Sequence, residues 1–360
     1  MLANVPPLPE IANERVRLRE VKTNGQIEIQ NASIPVQSNS LHRRHPAVAI
    51  QHFVQLSSLQ TTCQPNLMIY TDGSKSENGV GCAYVVYNNR NEIHSKHYHL
   101  PNHCSVYQAE LTAIQKSLDY LQENSTMIQE AQIMTDSRSS LLAIRDRNNR
   151  SDLVIQIQKQ LLSLQNSNIQ VQLSWVPGHT GIAGNERADE LAKGFLKPTA
   201  IKLILKAPLS YAKRSLREET VIKWNQQWTS SEKGAWTRQI FPSIYLRQQA
   251  KNLKHNLVRT QFLTGHGKFG AYLHRMRIRR GPECRCGQTQ DCFHLLFECP
   301  IPQILRHRQD LSADCFQKGF PLNPQSLGVL LSDATITHNV DNTLREIHHT
   351  LTEWERCDNP

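Results

Sequence analysis

The stretch Leu67-Met68-Ile69-Tyr70-Thr71-Asp72-Gly73-Ser74 decides how this chain is read. A short apolar run with no charge before Asp72 suits a central strand buried on both faces. The strand is expected to end on that carboxylate. An ionised side chain at the edge of an apolar segment is costly unless a cation or hydrogen bonds compensate it. Similar settings recur downstream: Glu110 in Tyr107-Gln108-Ala109-Glu110-Leu111, Asp136 in Met134-Thr135-Asp136-Ser137, and Asp189 in Gly184-Asn185-Glu186-Arg187-Ala188-Asp189. Three of these four acids end or interrupt apolar runs, unlike a carboxylate in an ordinary polar stretch.

Outward from the first run, Val80 to Tyr87 and Glu92 to Leu100 read as two further strands, separated by the turn-rich Asn88-Asn89-Arg90-Asn91. From Ser105 to Gln122 the period changes, with Leu111, Ile114, Leu118 and Leu121 at helical spacing. Ala131 to Thr135 is strand-like, helices follow at 139–146 and 152–164, and Ile169 to Trp175 alternates as a strand with one polar face. A loop with Gly178, Gly181 and Gly184 leads to a last helix for which Asn185 is a suitable N-cap. The order β-β-β-α-β-α-α-β-α predicts an α/β domain over 66–197, a mixed five-stranded sheet flanked by helices. Residues 1–65 are polar and read as linker, apart from a weak apolar stretch at Val48, Ile50, Phe53 and Val54 that suggests a short helix. After Lys197-Pro198 the composition shifts towards long, mainly helical stretches, so a boundary is placed there and 198–360 is read as a separate region.

If the first and fourth strands are neighbours, Asp72 and Asp136 leave the same sheet edge. Glu110, about a turn and a half into its helix, and Asp189, about one turn into the last, would join them. Four carboxylates that close repel one another unless divalent cations take up the charge. Hard oxygen ligands without thiolate or imidazole select magnesium or manganese over zinc. Two such ions about 4 Å apart can activate a water and stabilise the leaving oxygen of a phosphodiester. Gly73, lacking Cβ, with Ser74 beside it, would let a sugar–phosphate backbone come close.

These blocks, together with Trp175-Val176-Pro177-Gly178-His179-Thr180-Gly181, resemble type 1 ribonuclease H, in that family's order and at its spacing, over about 130 residues. The resemblance implies that Asp72, Glu110, Asp136 and Asp189 bind two magnesium ions, with manganese as a substitute. It also implies that His179 assists near the leaving group or in product release. Cellular members carry Asn and Gln just before the helix glutamate to read the RNA strand. Here Val106 and Tyr107 stand in those places, while Ser105 keeps a hydroxyl suited to a phosphate contact.

The chain's formal charge of +10 points to polyanionic partners, and residues 201–310 carry 20 Lys/Arg against 7 Asp/Glu, a net of +13. Nothing approaches the roughly 20 apolar residues of a membrane span, and residues 1–20 lack a basic-then-apolar leader, so the chain is expected inside the cell, in nucleus or cytoplasm. Of nine cysteines, four crowd into 284–299. Cys284, Cys286, His294 and Cys299 form C-x-C-x7-H-x4-C, a set that suits tetrahedral zinc, with Cys292 as an alternative ligand and free or buried thiols as the other reading. Five positions are too far round for one regular helix face, so Cys299 should sit where a short helix ends, before Pro300. Cys63, Cys82, Cys104, Cys315 and Cys357 lack such spacing and read as packing residues. Trp224, Trp228 and Trp236 likewise read as core more readily than as base-stacking platforms.

The combination of Thr264-Gly265-His266-Gly267, Tyr272-Leu273 and the Cys/His cluster resembles the segment after ribonuclease H in insect non-LTR retrotransposon polyproteins of the jockey and related clades. That resemblance implies that residues 1–65 remain from the end of a reverse transcriptase, and that a reverse transcriptase of the same element is a partner. The expected activity is endonucleolytic hydrolysis of the RNA strand of RNA–DNA hybrids. The alternative is a decayed or domesticated module that binds nucleic acid without cleaving it.

Overall fold

The computed structural model describes residues 4–29, 32–37, 49–56, 66–251, 253 and 256–358. Two compact units emerge, Val16–Leu216 and a second made of Met1–Arg15 with Arg217–Pro360.

The stretch read as linker holds a helix, α1 (Leu8–Asn24), and an antiparallel hairpin, β1 (Gln26–Ile29) and β2 (Ala32–Pro35). Val21, Ile27 and Val36 are buried against Ala207, Ala212 and Leu216, and Ala207 bonds Pro35 and Gln37 through its backbone. An apolar surface supplied from far along the chain is what orders this polar sequence. Val48 and Cys63 lie outside the described residues. Ile50 and Phe53, expected in a short helix, instead form a 3-10 turn at Gln51–Phe53 before a two-residue strand, β3 (Val54–Gln55).

The sheet proper contains β4 (Leu67–Ser76), β5 (Gly79–Asn88), β6 (Asn91–Leu100), β7 (Glu130–Thr135) and β8 (Gln170–Trp175). These are the five expected strands. Two-residue edges, β3 and β9 (Ile201–Lys202), extend the order to β3-β8-β7-β4-β5-β6-β9. β4 pairs antiparallel with β5 and parallel with β7, and β7 pairs parallel with β8. The β5–β6 turn places Asn89 and Arg90 at φ 47° and 69°, the left-handed pair of a two-residue hairpin.

Helices α2 (Val106–Glu123), α3 (Arg138–Arg145) and α4 (Asp152–Asn166) cover one face, burying Leu111, Ile114, Leu118, Leu141 and Leu161 against Ile69 and Ile133. α5 (Ala183–Lys193) covers the other, where Ala188, Leu191 and Ala192 meet Ala83 and Val85. Alternation along β4 follows from this sandwich: Ile69 faces one helical layer and Tyr70 the other.

α6 (Leu209–Ser230) leads into the C-terminal helices α7 (Ala235–Ile240), α8 (Ile244–Gln249), α9 (Leu257–Thr264), α10 (Gly270–Arg275), α11 (Pro302–Gln317), α12 (Pro324–Leu330) and α13 (Ala334–Asp358). Their core joins Phe241, Phe262, Leu295, Leu311 and Leu344. A buried Arg259–Asp341 ion pair ties α9 to α13. Among the described residues no helix is long and apolar enough to cross a membrane.

Candidate functional site

Asp72 does not end its strand. β4 runs on to Ser76 against β5, with Asp72 opposite Ala83. What ends at Thr71 is the parallel ladder to β7, whose last pair is Thr71 with Thr135. Asp72 and Asp136 are therefore the next residues on two strands that have just parted, and the Thr71 hydroxyl donates to the Met134 carbonyl at 3.3 Å beside the divergence. α2 brings the third acid. Its N-cap, Ser105, accepts from the Gln108 N–H at 3.2 Å, and Gln108 Oε1 accepts from the Ser105 N–H at 3.1 Å, a reciprocal box that fixes where the helix begins. The Ser105 hydroxyl thus accepts as a cap and keeps its O–H to donate.

Gly73 has a packing role that the sequence did not reveal. A Cβ there would collide with the Glu110 backbone nitrogen and lie 2.8 Å from the Ala109 carbonyl carbon. Only glycine lets α2 press its Ala109–Glu110 backbone onto β4. Ser74, half-buried, follows opposite Gly81.

Asp72, Glu110 and Asp136 each offer a carboxylate oxygen within 4.8 Å of the others. Burial first, then the charges of Asp136 and Asp189, push the Asp72 carboxyl up to about 7, while Lys193 and the Gly73 N–H pull the other way. Burial, then Asp72 and Asp136, push Glu110 up to about 9. Glu110 Oε2 is buried with no hydrogen-bond partner among the described residues. A buried oxygen without a hydrogen-bond partner beside two more carboxylates fits the donor chemistry of a hard divalent cation.

Asp189 stands outside this triad. α5 begins at Ala183 with Ile182 as its N-cap, so Asp189 lies nearly two turns in, and its Oδ2 accepts from Lys193 Nζ at 2.6 Å. Asn185, expected as the cap, is turned inward, 2% exposed, with its Oδ1 buried and unpartnered. Lys193 was missed as a partner of the site, although the Asp189–Lys193 spacing of four on a helix signals it. His179 is exposed on the loop before α5, with φ 56° in the left-handed region, and it joins no ligand cluster. That loop meets the site through Gly178, where a Cβ would lie 2.7 Å from Asp136 Oδ2, and through Trp175, whose indole N–H donates to the Asp136 carbonyl at 3.1 Å. Val106 and Tyr107 are exposed at the start of α2.

The second cluster lies in the C-terminal unit. A tight turn, bridged between Glu283 and Thr289, holds Cys284 and Cys286, with Gly287 at φ 88°. This turn makes the one-residue gap between the two thiols workable. His294–Glu298 forms a π-helical turn in which the Cys299 N–H donates to the His294 carbonyl at 2.7 Å. A repeat of five residues brings Cys299 back beside His294, which a regular α-helix would not do. The ligand atoms of Cys284, Cys286, His294 and Cys299 all lie within 4.8 Å of one another. Cys284 and Cys299 sulfurs are 3.9 Å apart, far beyond a disulfide bond and close to the roughly 3.8 Å that tetrahedral Zn–S bonds imply. Burial pushes the Cys299 thiol up to about 12. Cys292 is buried outside the cluster, as are Cys82, Cys104 and Cys315, whereas Cys357, expected to pack, is exposed.

A twisted mixed sheet sandwiched by helices, with acids gathered where two parallel strands part, defines the class, and residues 64–196 match the RNase H family. This segment is an RNase H domain. The chain is also similar to retrotransposon proteins. It is 35% identical over 98 residues to a retrovirus-related Pol polyprotein from the type-1 retrotransposable element R1 of Bradysia coprophila, covering 27% of this chain and 10% of that protein. An R1 Pol polyprotein of Popillia japonica is 24% identical over 210 residues, 58% of this chain and 81% of that one. The chain spans a tenth of the length of the Bradysia polyprotein and a fifth of an R1 Pol polyprotein of Nasonia vitripennis. RNase H1 of the halophilic archaeon Halobacterium salinarum NRC-1 is similar over 36% of this chain and 96% of its own, at 19% identity and a TM-score of 0.29.

Proposed function

We propose that this chain hydrolyses the RNA strand of RNA–DNA hybrids, leaving 3′-hydroxyl and 5′-phosphate ends. The observation that carries the reading is the triad Asp72, Glu110 and Asp136, with a bare buried Glu110 oxygen, inside an RNase H domain. These three would hold magnesium, or manganese in its place, and Asp189 would complete the set for a second ion by exchanging Lys193 for metal. Bound divalent ions supply an activated water and stabilise charge on the leaving oxygen. The protein's own part is placement. Gly73 seats α2 so that Glu110 reaches Asp72, Gly178 backs the loop onto Asp136, and His179 stands on that loop, free to meet the departing strand. Ser74 and the Ser105 O–H would be neutral contacts for a phosphate backbone.

The basic region after residue 200 would hold nucleic acid, and the Cys284–Cys299 cluster would hold one zinc ion that organises a loop with little core of its own. The similarity to R1 Pol polyproteins supports a reverse transcriptase of the same element as partner. A second reading, a module that binds without cleaving, is favoured by the exposed Val106 and Tyr107 and by the Asp189–Lys193 pair. Purified protein and an end-labelled hybrid, with magnesium, manganese, calcium or chelator, separate the two. Cleavage with magnesium and manganese, little with calcium and none with chelator is expected. Binding without cleavage under every condition would leave the second reading standing.

A further inference from the structure

Around the end of α6, the start of α7 and the Thr264–Gly267 turn, the C-terminal unit opens a groove of about 1280 Å³. That exceeds the roughly 300–1,000 Å³ of small-molecule sites, which points to an extended occupant. The groove is lined by aromatic rings at the edge of the core, Trp236 and Tyr272 among them. Trp228 and Trp236 are half-buried, each fixed through its indole N–H: to the Phe241 carbonyl at 2.9 Å and the Phe262 carbonyl at 2.6 Å. Trp236 meets Phe262 and Phe293 edge-on and Trp228 carries the Arg238 guanidinium at 5.3 Å, so each indole has its groove-side surface to offer. Trp224, by contrast, is buried at 3% exposure.

A second stack stands on the Thr264–Gly267 turn. Gly265, at φ 69°, swings His266 out, and its ring lies 5.0 Å from that of Tyr272 at 33°. The Arg275 guanidinium rests over the same Tyr272 ring at 5.3 Å. Lys233 and Arg275 bring positive charge to the lining. Of the two acids there, Glu232 is exposed, and Asp291 already accepts from the His294 N–H at 2.8 Å. Basic residues continue directly after Arg275 with Arg277, Arg279 and Arg280.

We infer that this groove binds single-stranded nucleic acid, with bases stacking on Trp228, Trp236 and the His266–Tyr272 pair and phosphates meeting Lys233 and Arg275. Unpaired bases have free faces for such rings, whereas a duplex hides them, and charge alone would not call for aromatic walls. An acidic peptide would satisfy the two cations and leave the rings unused. The inference is independent of hydrolysis, since none of these residues belongs to the acidic cluster.

The test uses the full chain and fluorescent single strands of about 15 nucleotides, near the upper end of site sizes for such grooves. RNA and DNA arms identify which strand is preferred, and unlabelled duplex and poly-glutamate serve as competitors. Binding in either single-strand arm, with quenching of tryptophan fluorescence, is expected. It should weaken about tenfold or more in H266A/Y272L and several-fold in R275Q, an exposed position that cannot unfold the unit. Hybrid cleavage by the unaltered chain is assayed separately, so failure here and failure of the hydrolase reading are told apart. Unchanged affinity in both variants, or equal competition by duplex or poly-glutamate, would overturn the inference.

Discussion

A carboxylate pushed up by burial and like charge is a liability that a cation converts into a site, and this has consequences at single residues. D72N or D136N should cut hybrid cleavage by at least about a hundredfold, since even residues that merely support a metal ligand cost ten- to a hundredfold. In chelator, D72N should melt above the unaltered protein, because the mutation removes a buried charge that Asp136 and Asp189 repel. Wild-type turnover by D136N would sink the assignment. The same pair sets a pH dependence. Asp72 and Glu110 both have folded values raised, to about 7 and about 9, above ordinary carboxylates. Stability from a raised group is fully present below its unfolded value and lost as pH rises through the folded one. Melting temperature without metal should therefore fall from about pH 4 to 9, and magnesium should flatten the slope; a flat profile in chelator would contradict it. The four acids were legible from their neighbours in sequence. Gly73 was legible as glycine but not for its reason, which is a helix backbone approaching from 37 positions away (73 to 110).

At the scale of elements, strands and helices with strong period announced themselves: the apolar run of β4, the Asn-rich turn before β6 and the leucine stripe of α2. Elements two residues long, such as β3 and β9, carry no period to read. The start of α5 was misplaced because Asn185 is a good cap in general, while Ile182 at the true N-cap makes no side-chain cap bond. β3 yields a test. Ile50 and Phe53 are 0% and 3% exposed in the core shared with α4 and β8, so an RNase H fragment starting at residue 66 loses both. It should be less stable than one starting at 49 by about 1.5–3 kcal/mol for each side chain, measured by urea denaturation. Equal midpoints would show that the turn and β3 are dispensable. The π-helical turn yields another. C299S should lower bound zinc from about one per chain to none and loosen 282–300 in hydrogen exchange. Native protein without zinc, and with all four thiols open to alkylation, would remove the metal.

For the whole molecule, the N-terminal stretch shows where a one-dimensional reading stops. Nothing in residues 8–37 predicts that Val21, Ile27 and Val36 will find Ala207, Ala212 and Leu216, because that complementarity exists only after folding. The two clusters differ in reach along the chain: Asp72 and Asp136 are 64 positions apart, Cys284 and Cys299 only 15. Closing the longer loop costs about 1 kcal/mol more in chain entropy. Refolded with zinc and magnesium, the thiols of the Cys/His turn should gain protection from pulse alkylation before hybrid cleavage returns; protection arriving last would refute that order. During synthesis the same difference means that the Cys/His turn can close as soon as its short segment has left the ribosome, while the acidic triad waits on a whole domain finding its register.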